Sequence, residues 1–82
     1  MSKNNKLKIL EIDNGKFVVE LPSFRALCFE GGNFYNRSLS HFSDCQIGIR
    51  TDIDIKKLSK IWDKPVEEIE YLIGREINVG RG

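Results

Sequence analysis

The chain has little of what usually announces a function. Among 82 residues there are two Cys, one His, two Pro and one Trp. Two cysteines, Cys28 and Cys45, exclude a disulfide-dense scaffold, and without a secretory leader they are expected as free thiols in a reducing compartment. No apolar run approaches the roughly 20 residues that span a bilayer, and Met1-Ser2-Lys3-Asn4-Asn5-Lys6 leads into no signal-peptide core. A soluble cytoplasmic protein with no membrane partner is the expectation. A dominant charge is missing as well, since 13 Lys plus Arg face 12 Asp plus Glu for a net charge of +1. Residues 1–22 carry four basic and three acidic groups, residues 23–50 three and two, and residues 51–82 six and seven. No segment therefore has the electrostatic footprint of a strong nucleic-acid binder.

What is present fits one small domain over residues 1–82, with residues 1–6 and 80–82 expected to fray. At this length folding hides roughly 60–65% of the unfolded chain's surface. Ordering the chain costs about 1.5 kcal/mol per residue, so the apolar 40% of the residues is largely committed to a core. A large catalytic cleft is hard to accommodate.

Leu7–Ile12 and Lys16–Leu21 are β-rich and flank Asp13-Asn14-Gly15, whose Asn-Gly pair tolerates the positive φ of a hairpin turn. In that hairpin Leu7, Ile9, Phe17, Val19 and Leu21 share one face. Leu10, Ile12 and Val18 fall on the other, which implies that this face too is partly covered. Pro22 ends the second strand. Residues 24–30 fit a short helix capped by Ser23 or a third strand, and the pattern leaves both open. Gly31-Gly32-Asn33 is a turn, residues 36–44 read as a polar surface loop, and residues 46–50 return to β character with Gly48 marking a bulge or a close backbone approach. Farther on, Ile55, Leu58, Ile61 and Trp62 follow helical spacing, with Thr51, Asp52 or Asp54 as cap. After a break at Asp63-Lys64 a second helix starts at Pro65 and carries Val66, Ile69, Leu72 and Ile73, with Gly74 as its expected stop and residues 75–79 as a last short strand. The predicted fold is α+β: an N-terminal β-hairpin plus one or two further strands in a small antiparallel sheet, packed against a C-terminal helix-turn-helix.

Motifs for chemistry are sparse. Cys28, His41 and Cys45 form C-x12-H-x3-C, but the closely spaced pair that pre-aims two thiolates at zinc is missing, so no metal is expected. Cys28 among Phe24, Leu27 and Phe29 reads as a buried, inert thiol instead of a nucleophile served by His41. Asp52 with Asp54 and Glu67 with Glu68 sit at helix starts, where capping and the dipole account for them. Gly31-Gly32 lacks the lysine and spacing of a phosphate loop. No enzyme activity and no cofactor are expected. The helix pair has a loose helix-turn-helix spacing, yet its second helix would bring Glu67, Glu68 and Glu70 towards a polyanion.

The aromatic middle is the remaining signal. Phe24, Phe29, Phe34, Tyr35 and Phe42 fall within nineteen residues, beside Arg25 and Arg37. Large rings next to guanidinium groups are the composition of protein-interaction anchors. The sequence therefore points to a non-catalytic binding or regulatory protein docking on another protein through Phe34, Tyr35, Arg37, Arg25 and His41, and through strand addition at the edge of the hairpin. An accessory protein of a bacterium or phage that inhibits a host enzyme suits this composition. The alternative is nucleic acid, stacked on the same aromatics or read by the helix-turn-helix. Homodimerisation is a third outcome, since so small a core gains from an interface.

Overall fold

Tight turns fix the sheet. The computed structural model describes residues 7–80, so the fraying expected at residues 1–6, 81 and 82 lies outside the described residues. Strands β1 (Ile9–Ile12) and β2 (Lys16–Leu21) form the predicted hairpin, with the Gly15 amide donating to the Ile12 carbonyl at 3.2 Å. The positive φ values fall on Asp13 (54°) and Asn14 (60°) and leave Gly15 unstrained. Short polar side chains tolerate that conformation, so the turn forms one residue earlier than an Asn-Gly pair implies.

Residues 24–30, left open between helix and strand, form β3 (Arg25–Glu30). Its apolar residues serve both faces of the sheet, Ala26 and Cys28 on one and Leu27 and Phe29 on the other, so a helix would leave half of them uncovered. Gly31 (φ 59°) and Gly32 (φ 83°) then make a two-residue connection to β4 (Asn33–Ser38), the geometry that matches strand twist. Residues 36–38, expected in a loop, are thus strand. A 3-10 turn, Leu39–Phe42, follows, and β5 (Ile47–Arg50) completes an antiparallel sheet of order β4-β3-β2-β1-β5. The five strands among the described residues exceed the expected number within the expected α+β class. The predicted hairpin is interior, so the sheet edges belong to β4 and β5, not to the hairpin.

One face is closed by α1 (Ile55–Trp62) and α2 (Val66–Gly80), which pack Leu58, Trp62 and Ile69 on Ile9, Val19, Leu21 and Leu27. Asp54 caps α1 by accepting from the Lys57 amide at 2.9 Å, and Asp63 ends it in a left-handed conformation. Pro65 opens α2 by accepting from the Glu68 and Ile69 amides. The stop predicted at Gly74 and the strand predicted over 75–79 do not form, and α2 runs on to Gly80. Ile69, Ile73 and Ile77 continue one helical stripe, and Glu76 accepts from the Asn36 amide group of β4 at 2.5 Å. A glycine costs an internal helix only about 1 kcal/mol, too little to stop a helix anchored beyond it.

The second face carries Leu10, Ile12, Val18, Ala26 and Cys28, buried beneath Leu39 and Phe42. Residues 39–46 must travel from one sheet edge to the other, and they do so across this face as a strap. That crossing is the cover implied by the alternation of Leu10, Ile12 and Val18.

Candidate docking surface on the strapped sheet face

Strand alternation separates the residues singled out in the sequence. Phe34 and Tyr35 are neighbours in β4 and therefore point to opposite faces. Phe34 lies on the helix side, with its ring 4.8 Å from Phe29 and 5.6 Å from Trp62. It belongs to the core, which corrects its assignment as a docking anchor and removes it from any base-stacking pair. Arg25 is also on the helix side, donating through Nε and Nη2 to the side chain and carbonyl of Asn36, which in turn holds Glu76. This network ties α2 to β4 and uses Arg25 internally.

Tyr35, Arg37 and His41 face the strapped side. The Arg37 guanidinium stacks 4.7 Å above the Tyr35 ring and lies 4.0 Å from Glu30. Glu30 accepts from Lys16 at 2.9 Å, and this bond is the main cause that holds its carboxyl below, and the Lys16 amine above, their ordinary pKa ranges. His41 is exposed against Phe42, ring centroids 5.0 Å apart. On one side of the strap a shallow cleft of about 410 Å³ is lined by Asp13, Lys16, Glu30, His41 and Cys45. Burial pushes the Cys28 thiol up to about 11, with Glu30 adding to the shift, and Cys45 is likewise raised, first by burial and then by Asp13. Both thiols stay protonated at neutral pH. Among the described residues no three of His, Cys, Asp and Glu gather to hold a metal ion.

On the other side of the strap the face is apolar. A groove of about 500 Å³ is lined by Leu10, Phe24, Leu39, Ile47 and Ile49, with Lys8 and Glu20 paired at 3.3 Å on its rim. Phe24 is 64% exposed, Ile49 61% and Ile47 45%. Isolated exposed apolar side chains are ordinary, but three around one groove are not. Phe24 also sits at φ 60°, after Ser23 at 66°, in the Pro22-Ser23-Phe24 loop between β2 and β3. A bulky side chain in that region is a genuine outlier costing about 1–2 kcal/mol. The sequence pattern leaves residues 24–30 open between helix and strand and so gives the Phe24 ring no side, and the groove emerges only with Pro22-Ser23-Phe24 as the loop between β2 and β3. Reading Pro-Ser-Phe as a hairpin loop between two strands would have exposed it.

The helices offer a divided surface, with exposed Lys56, Lys57 and Lys60 on α1 and exposed Glu67, Glu68 and Glu70 on α2. No helix among the described residues is long and apolar enough to cross a membrane. No family model, curated protein or solved structure matches the chain. The geometry alone carries the functional argument.

Proposed function

We propose that the chain is a small non-catalytic binding module that docks on another protein through the apolar groove between Phe24 and the strap, taking an apolar segment of that protein. The observation that carries this is Phe24 itself: a ring left in water, on backbone strained by its side chain, over a groove floored by Leu10 and Leu39. At 64% exposure the ring has little packing among the described residues to offset either cost. A partner that covers the ring recovers its burial, and large rings in partly desolvated pockets dominate binding energy. Tyr35, Arg37 and His41 lie on the same side of the sheet and supply a polar flank to the interface. Docking of this kind regulates an enzyme partner by occlusion, with no chemistry from this chain.

Panning a display library of random 12-residue peptides on the immobilised protein tests the reading. Peptides rich in apolar residues should be enriched, and their affinity should fall at least tenfold on Phe24→Asp with the thermal midpoint unchanged. No enrichment, or peptides that bind Phe24→Asp equally well, would refute it.

A further inference from the structure

The outer edge of β5 raises a separate question, because its backbone polarity follows from the register. β1 and β5 pair so that residue numbers opposite each other run Ile9 with Arg50 to Ile12 with Ile47, and the Asp13 amide donates to the carbonyl of Gln46 directly opposite at 2.8 Å. Hydrogen-bonded and non-bonded pairs alternate along an antiparallel ladder. Gly48 and Arg50 therefore bond inward to β1, and the N–H and C=O groups of Ile47 and Ile49 point outward from the last strand of the sheet. The side chains of those same two residues stand exposed on the strapped face.

We infer that β5 pairs with β5 of a second copy, antiparallel, about a two-fold axis through Gly48. In that register Ile47 faces Ile49 of the second copy and Ile49 faces Ile47, so each outward N–H meets a C=O and all four groups on each strand are satisfied. The two-fold itself makes the match one to one, each residue facing the one that faces it in return, and because Ile-Gly-Ile reads the same from either end, isoleucine meets isoleucine in both pairs. On the strapped face four isoleucine side chains come together. On the helix face the one charged residue within β5, Arg50, meets the neutral Gln46 of the second copy, so no like charges are opposed within the paired strands. Gly48 fits this arrangement and has no other need met within the monomer: its φ is not positive, and a Cβ built there touches nothing within 4 Å. At the axis, where opposed residues of a non-bonded pair approach most closely, it leaves the space open. The other sheet edge is differently built, since β4 has Phe34 in the core and Asn36 tied to Glu76.

The result is a continuous ten-stranded sheet with all four helices on one side and both apolar grooves on the other. A paired edge of four residues per copy lies at the small, transient end of protein interfaces, where affinities are roughly micromolar or weaker. Sedimentation velocity between about 1 μM and 1 mM, a range that brackets such an affinity, should show the mass rising from 9.4 kDa towards twice that value. Hydrogen exchange adds the decisive pattern: the Ile47 and Ile49 amides gain protection with concentration, and those of Gly48 and Arg50 are protected at both ends of the range. Ile49→Lys, with Ile47→Lys as a second variant should the first not fold, weakens association at least tenfold, whereas Phe24→Asp leaves it unchanged. A monomer mass throughout, or Ile47 and Ile49 exchange independent of concentration, overturns the dimer and leaves docking in the groove to its own test.

Discussion

The opposite orientation of Phe34 and Tyr35 can be tested by a pair of alanine substitutions. Truncating a fully buried Phe to Ala costs about 3–5 kcal/mol. Phe34 is half-buried, so about half of that applies, and its two ring contacts with Phe29 and Trp62 add some 0.5–1 kcal/mol between them at this exposure. Phe34→Ala is thus expected to cost about 2–3 kcal/mol, which for a domain of this size lowers the thermal midpoint by about 10–20 °C. Tyr35 is 37% exposed, and its ring stacks under Arg37 at the sheet edge. Tyr35→Ala should cost below about 1 kcal/mol, a shift of a few degrees. Circular dichroism melts of the two variants and the parent, at one pH and concentration, decide the matter. If Tyr35→Ala proves the more damaging, β4 is shifted by one residue, every side chain on it changes face, and the placement of Arg37 and Asn36 fails with it.

Other outcomes follow from single contacts. Asp54→Ala removes the cap on the Lys57 amide and should cost about 1 kcal/mol by chemical denaturation, with Asp54→Asn restoring most of it. Phe24→Asn places a residue that tolerates positive φ in the strained loop, so the thermal midpoint should hold or rise, and a fall of several degrees would mean the ring is held by packing. The Cys28 thiol has its pKa raised by folding from 9.0 to about 11, so the unfolded chain loses its proton first; stability contributed by this group is intact below pH 9 and falls as pH rises towards 11. Cys28→Ala should flatten that decline in melts taken across this range. Asp52, held below its ordinary pKa chiefly by the Arg50 guanidinium at 2.6 Å, acts in the opposite sense, and its contribution is present above the unfolded value and lost as pH falls through the folded one. Arg50→Gln should remove that acid-side dependence.

Local chemistry made much of the architecture legible. Two β-rich runs around Asp13-Asn14-Gly15 fold as a hairpin because their short-range pattern and turn residues agree, and two helical stripes around Asp63-Lys64-Pro65 do the same. Even the cover on the second face was implied, since Leu10, Ile12 and Val18 had to be buried by something. Residues 24–30 resisted, because a short apolar run has no period that separates strand from helix. Its state depends on whether both faces are covered. Gly74 misled for the related reason that a weak local penalty yields to a tertiary contact, here Glu76 on Asn36.

The candidate site was only half legible. Composition drew attention to aromatics beside arginines, and Tyr35, Arg37 and His41 do lie on the strapped face, but composition has no direction. The sequence by itself determined which segments alternate, where they turn and that no segment carries a dominant charge. The tertiary structure decided that β4 sends Phe34 inward and Tyr35 outward, that the strap crosses the sheet, and that Phe24 and the isoleucines of β5, far from it in the chain, border one groove. The physical reason is that turns and periodicity are set by neighbours in sequence, whereas exposure is set by what lies above each face, and that is settled only when all five strands are in register.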